Sequence, residues 1–308
     1  MFWAKSFCAR KVKAGGFSSL AKTVLIVGCG YLGLPLARHF LSSGCRVSGL
    51  TASAESAQRL KSEPFPVYPI DVSMAGALGK LPQRRFDIVI HCASSGRGGV
   101  ESYGSVFLDG SRNLFAALDF DHLLISSSTS VYAQTDGSAV NEDSPATPER
   151  ETGRMLLSAE SLVLGQGGTV ARLAGLYGPG RCVPLEKLLR GAALLEGEGE
   201  RVLNSIHLSD AVSALALLAE TKRGSIFNIT DNQPVTQREW FEWVCGTLAM
   251  KLPAMGSRDL NRKRGWTNKR VSNKKLRALG WEPRYPSFRE GLTDMLAEIL
   301  KGKSLRKE

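Results

Sequence analysis

Five short apolar runs, most of them followed by a helical pattern or a small-residue turn, order the first half of the chain. The first, Val24-Leu-Ile-Val27, is unbroken, as a strand buried on both faces requires. Leu34, Leu36, Ala37, Phe40 and Leu41 then recur at helical spacing. Further strand patterns fall at 46–53, 67–72, 86–94 and 122–128, and a helix is expected from about Ser102 to Leu118. Strands alternating with helices predict a parallel sheet with crossover helices. The expectation is an α/β fold: a Rossmann-type doubly wound parallel sheet over residues 23–170, with a smaller C-terminal substrate lobe over 171–308. In the second half, Asp210 to Leu218 reads as a helix capped by Asp210 or Ser209. Thr236 and Glu239 have the spacing of a capping box, and Trp240, Phe241 and Val244 form a core stripe on the helix that follows.

The glycines after the first strand carry the first chemical signal. In Gly28-Cys-Gly30-Tyr31-Leu32-Gly33, the first glycine permits a tight turn, the second lets a pyrophosphate approach the backbone, and the third lets the helix pack close to the strand. The helix N-terminus then offers free N–H groups and a positive dipole end. Tyr31 and Leu32 fall within this loop. An adenine dinucleotide, NAD(P), is the expected cofactor. An NAD site usually places an acid about 20 residues further on, but here Thr51, Ala52 and Ser53 occupy that zone, with Arg59 beyond. These favour NADP slightly. Asp71 ends the third strand, where it either meets an adenine amino group or closes a turn. Ala93 and Ser94, followed by Gly96, Gly98 and Gly99, are small enough for a backbone passing beneath a cofactor. His91 reads as a packed strand residue.

The remaining composition mainly excludes. No apolar run approaches the roughly 20 residues of a membrane span, so no membrane partner is expected. The six cysteines are scattered without a CxxC pair, which suits reduced thiols in an intracellular compartment and predicts no metal site. The net charge of +11 is uneven. Residues 1–50 hold seven Lys or Arg and no acid, and residues 258–308 hold fifteen against six acids. No nucleic-acid motif accompanies these basic ends, so a solvated basic face or a phosphate-facing lobe is expected rather than a nucleic-acid partner. Residues 1–22 read as a basic extension. A transit peptide, a loose extension of a cytoplasmic protein and a start codon placed too early all remain open.

Several later segments, in collinear order over about 23–295, resemble the extended short-chain dehydrogenase/reductases. They are Ser126-Ser-Ser-Thr-Ser-Val-Tyr132, Glu142-Asp-Ser-Pro-Ala-Thr-Pro148, Ala171-Arg-Leu-Ala-Gly-Leu-Tyr-Gly-Pro-Gly-Arg181, Asn204-Ser-Ile-His-Leu-Ser-Asp210, Phe227 to Val235, and Lys275 to Trp281. The resemblance implies NAD(P)-dependent chemistry on a small, phosphorylated or nucleotide-linked substrate. It places the family's catalytic Ser/Thr at Ser128 and a substrate-side loop over Arg172, Tyr177 and Arg181.

Two departures narrow the resemblance. Extended members usually carry GxxGxxG, and this loop is one residue shorter. Their proton donor is a Tyr with a Lys four residues later, on one helix face. Here those positions fall on Thr152 and Leu156, and no Tyr-x-x-x-Lys occurs anywhere. In this the chain is similar to the atypical, YeeZ-like subgroup of NAD-dependent epimerase/dehydratase-like members. Ser128 is then the expected polar group beside the nicotinamide, with Tyr132 and His207 as candidate proton donors. Lys269 and Arg270 join Arg172 and Arg181 as candidate phosphate contacts. Two functions follow: an oxidoreductase or epimerase/dehydratase-like enzyme, or a non-catalytic NAD(P)-binding sensor or scaffold. A homodimer is left open.

Overall fold

A computed structural model describes residues 21–96, 98–221, 224–262 and 265–304, with residues 302–304 described by backbone only. The basic extension, up to residue 20, lies outside the described residues, as does Cys8.

Seven parallel strands form the central sheet: β1 (Thr23–Val27), β2 (Arg46–Thr51), β3 (Val67–Pro69), β4 (Arg85–His91), β5 (Asp119–Ser128), β6 (Thr169–Leu173) and β7 (Ile226–Ile229). Their order is β7-β6-β5-β4-β1-β2-β3. The chain winds outward in both directions from the β1/β4 pair, in register Val24↔Ile88 to Val27↔His91. Alternation along β1 explains why two helical layers are needed. Val24 and Ile26 join one apolar cluster with Leu36, Phe40, Leu215 and Leu218, while Leu25 and Val27 join another with Leu78, Leu114 and Val163.

The longer crossover helices are α1 (Gly33–Ser42), α2 (residues 100–117), α3 (Glu151–Gly165) and α4 (Leu208–Thr221), and a short helix over Ala54–Arg59 joins β2 to β3. Within α2, Gly104–Asp109 is wound as a wider π turn, which the apolar spacing did not announce. The sheet also reaches further along the chain than residue 170. That boundary falls inside β6, and β7 with α4 belongs to the main sheet although both lie beyond it.

The smaller lobe is built from short strand pairs, α5 (Gln237–Leu248) and α6 (Phe288–Ser304), around Tyr177, Leu185, Leu188, Trp240, Phe241, Phe288 and Leu292. Thr236 caps α5 as its spacing requires: Thr236 Oγ1 accepts from Glu239 N–H (3.1 Å), and Glu239 Oε2 accepts from Thr236 N–H (2.7 Å). Asp210 does not cap α4. It is buried in that helix and accepts from the backbone N–H groups of Arg284 and Tyr285 (2.8 and 3.0 Å), tying the chain before α6 to the main domain. No helix among the described residues is long and apolar enough to cross a membrane.

Candidate functional site

The strands end on a cleft of about 1050 Å³, which runs from the β1 loop into the smaller lobe. A parallel sheet that reverses its winding direction leaves such a crevice at the carboxyl ends of its strands. Its floor is made of the first residues beyond each strand: Gly28 to Leu32 after β1, Thr51 and Ala52 at β2, Cys92 to Ser94 after β4, Ser126 to Ser130 at β5, and Leu173 and Ala174 at β6.

The β1 loop has one backbone solution. Gly28 sits at φ +97°, and a Cβ there would lie 2.4 Å from Ala93 Cα. A Cβ on Gly33 would lie 2.1 Å from the Gly28 carbonyl oxygen, which is the close helix–strand packing expected of the third glycine. Gly30 is different: nothing lies within 4 Å of its missing Cβ, so it opens onto the cleft. The N-terminus of α1 has neither a side-chain cap nor an acid in its first turn, leaving its dipole end available to an anion. The Tyr31 hydroxyl is buried without a protein partner, and the Arg181 guanidinium lies 5.2 Å above its ring. Burial raises the Tyr31 pKa, and Arg181 partly opposes the rise.

At the β2 end, Thr51 Oγ1 donates to the Ser53 carbonyl (3.3 Å), while Ser56 and Arg59 line the cleft beside it. Arg59 pairs with Glu55 and donates to Ser56 Oγ (2.9 Å). Ser94 Oγ accepts from Gly96 N–H (3.1 Å). Asp71 is outside the cleft wall; its Oδ1 accepts from the backbone and hydroxyl of Ser73 (2.9 and 2.7 Å), a strand-end turn.

Of the candidate catalytic and substrate-side residues, Ser128, Tyr177, Arg181 and Lys269 line the cleft, whereas Tyr132, His207, Arg172 and Arg270, which donates to the Gly137 carbonyl (3.1 Å), do not. Ser128 Oγ accepts from Ser130 N–H (3.2 Å). The Tyr177 hydroxyl is buried without a partner, and burial, then Asp231 and Asp210, raise its pKa. Tyr132 is fully buried behind the wall, its hydroxyl donating to Asn228 Oδ1 (2.9 Å). His207 is enclosed between the rings of Tyr177 and Tyr285, and its Nδ1 accepts from Ser209 N–H (3.2 Å). Burial, then Arg284, lowers its pKa. Arg172 is 3 % exposed and forms a two-pronged ion pair with Glu160, with Arg172 Nη2 to Glu160 Oε2 at 2.6 Å, so its charge is spent beneath the cleft. Glu160 also accepts from the Ser127 hydroxyl.

The smaller lobe adds groups that sequence reading did not find. Glu196 lines the cleft, accepts from Trp266 Nε1–H (2.9 Å) and pairs with Arg262. Arg201 lines the same wall and donates to the Thr267 carbonyl (3.3 Å). Lys269, named above only as a phosphate contact, is 4 % exposed and donates to the Tyr132 carbonyl and Thr267 Oγ1, both at 2.8 Å. Burial, with Arg201 nearby, pushes its pKa down to about 7. Leu156, which the resemblance to extended members sets at their Lys position, lines the cleft as an apolar side chain. No motif marks Glu196, Arg201 or Arg262, because only the folded chain brings them together. Among the described residues, no group of three or more His, Cys, Asp or Glu could hold a metal ion.

The sequence model of the NAD dependent epimerase/dehydratase family matches residues 24–230. The chain belongs to that family. Protein YeeZ of Escherichia coli strain K12 is 28% identical over 275 residues, covering 86% of this chain and 97% of its own. A solved structure of a candidate NAD-dependent epimerase/dehydratase from Methylobacillus flagellatus is 27% identical, with a TM-score of 0.74 over 91% of this chain and 99% of that one. DesIV, the dTDP-glucose 4,6-dehydratase of Streptomyces venezuelae solved with NAD and TYD bound, shares the fold at a TM-score of 0.76, with 20% identity over 92% and 98% of the two chains. The family's nicotinamide dinucleotide fits the residues present. Gly30 leaves the space a side chain would fill, α1 presents uncapped N–H groups there, and Tyr31 offers a buried hydroxyl without a partner.

Proposed function

We propose that the protein is an NAD(P)-dependent oxidoreductase or epimerase/dehydratase-like enzyme acting on a small polar substrate, phosphorylated or nucleotide-linked. The observation that carries this reading is the continuity of the cleft. One cavity joins the glycine loop at Gly28–Gly33 to the smaller lobe's Arg181, Arg201 and Lys269, large enough for a dinucleotide with a second molecule beside it. Gly28, Gly30, Tyr31, Leu32 and Gly33 would hold the diphosphate, and Ala93 and Ser94 would pass beneath the cofactor. The nucleotide, when bound, supplies hydride chemistry.

The chain's own residues supply orientation and polarity. The Ser128 hydroxyl, at the end of β5, would donate to a substrate carbonyl or alkoxide oxygen, where developing negative charge is worth stabilising away from water. Tyr177 and Arg181 would hold the substrate's polar and anionic parts. Thr51, Ser56 and Arg59 would accept a 2′-phosphate, favouring NADP over NAD, with Arg59 released from Glu55 to do so.

Fluorescence titration with NADPH and NADH tests the reading, followed by turnover assays with UDP- and dTDP-linked sugars and simple carbonyl compounds. NADPH binding is expected to be tighter, and Arg59→Ala should cut the preference about tenfold. Neither binding nor a thermal shift with any nicotinamide nucleotide would remove the assignment. In the turnover assay, Ser128→Ala should lower kcat about 10²-fold without weakening nucleotide binding.

A second reading, a non-catalytic NAD(P)-binding sensor or scaffold, draws support from Leu156, an apolar side chain that lines the cleft and that the resemblance aligns with the family's Lys. Tight NADPH binding without turnover of any compound tested would favour it.

A further inference from the structure

The cleft wall in the smaller lobe holds a basic group that the usual machinery of the family does not include. The segment carrying Lys269 is pinned across the fold rather than left as a loop. Asn268 N–H donates to the Gln134 carbonyl (2.9 Å), Arg270 N–H donates to the Ser138 carbonyl (2.8 Å), and the Lys269 carbonyl accepts from Asn204 Nδ2 (2.9 Å). This fixes the Lys269 side chain against the turn Ser128–Tyr132, whose last carbonyl accepts from its Nζ. That turn also presents Ser128 and Ser130 to the cleft, and the Ser130 hydroxyl is buried without a protein partner.

Lys269's two acceptors, the Tyr132 carbonyl and the Thr267 hydroxyl, are both uncharged. Among the described residues, the smaller lobe's side of the cleft also carries Arg181, Lys187, Asp259, the Glu196–Arg262 pair, whose charges are matched to each other, and Arg201, the one of these charges that acts on Lys269, opposing its protonation. An ammonium has three N–H donors, and two are taken here. A buried amine facing a cation rather than a carboxylate is costly to keep charged, so a purely structural role is a poor account of it.

We propose that Lys269 is the proton donor and acceptor of this cleft, replacing the absent Tyr-x-x-x-Lys pair, with Ser128 and Ser130 orienting the substrate oxygen. This rests on the nicotinamide reading above. In the reducing direction the hydride's electron pair, supplied by a dihydronicotinamide, forms the new C–H bond, and the carbonyl π pair moves onto oxygen. The Lys269 N–H bond breaks as the O–H bond forms, leaving a neutral amine that water reprotonates. Oxidation runs the same steps in reverse, with the neutral amine as base. An amine titrating near neutrality is suited to both directions.

The test uses the full chain with lysine labelled by ¹³C at Cε, the Lys269 resonance being assigned by its loss in Lys269→Met. The resonance is expected to titrate near pH 7, about three units below the ordinary lysines, and Arg201→Met should move it upward. Titration together with the ordinary lysines overturns the proposal. In parallel, NADPH with a panel of aldehydes and ketones reads turnover. Lys269→Met should lower kcat by 10²–10⁴-fold with NADPH affinity unchanged, and Lys269→Arg, which keeps charge but cannot release its proton, should not restore it. Full activity in Lys269→Met overturns the proposal. So does a wild-type protein that binds NADPH but reduces no member of the panel, although nucleotide binding then stands. Failure to bind NADPH at all refutes the nicotinamide reading instead.

Discussion

The two halves of the cleft are built on different principles. The nucleotide half is backbone-made: its shape follows from Gly28, Gly30 and Gly33 within six residues of one another, and Gly28 and Cys29 N–H both reach the Leu50 carbonyl. The substrate half is made by side chains from distant parts of the chain. Lys269 reaches Tyr132 across 137 residues, Trp266 reaches Glu196 across 70, and Val202 N–H reaches Asn268 Oδ1 across 66. A diphosphate is the same in every dinucleotide, so a fixed backbone loop serves it. A substrate wall assembled from long-range side-chain contacts can change one residue at a time while the sheet stays intact.

Four substitutions can break or sharpen that contrast. Gly28→Ala puts a side chain at φ +97° and 2.4 Å from Ala93 Cα, and neither backbone can yield. Strain and overpacking together should cost about 3–5 kcal/mol in urea unfolding and abolish NADPH binding. Arg172→Met leaves Glu160 buried without its cation. It should cost about 3 kcal/mol yet leave NADPH affinity unchanged at low temperature, because Arg172 lies beneath the cleft rather than in it.

Asp231, buried behind the cleft wall near Tyr177, offers a pH test beside the substrate half. Burial, then Asp210 and Glu290, raise its pKa to about 8. The folded state therefore holds a proton that the unfolded chain releases near pH 4. The stability tied to that proton is full below pH 4 and is lost as pH rises through about 8. Asp231→Asn should remove this decline, making the variant more stable than the parent by on the order of 2 kcal/mol at pH 9, and by less at pH 5, in paired urea titrations. A gain that does not grow with pH would refute the assignment. The smallest effect is expected at Thr236→Ala, which breaks the capping box of α5 and should cost about 1 kcal/mol without altering nucleotide binding. Loss of NADPH affinity there would show the two halves to be more tightly coupled than their construction suggests.

How much could be read in advance follows the same division. The β1 strand, the glycine turn and the amphipathic α1 were legible because strand burial, left-handed turns and helix packing act over a few residues. The capping box at Thr236 and Glu239 was legible for the same reason. Arg172 shows the limit. As an arginine near a substrate loop it read as a phosphate contact, and nothing local revealed Glu160 as its buried partner. Asp210 read as a helix cap, but it instead holds the backbone at Arg284 and Tyr285, which the chain meets only some 74 residues later.

The sequence by itself determined the parallel α/β architecture, the place of the crevice and the absence of a Tyr-x-x-x-Lys pair, since each depends on residue type and short-range spacing. Tertiary structure alone decided which charges would be neutralised out of reach and which would face the cleft. Arg172 is paired beneath the floor, while Lys269 sits in the wall beside Arg201. Both are basic residues in otherwise ordinary strings. Only burial and the groups packed around a charge settle what it can do, and those neighbours come from parts of the chain that local pattern does not connect.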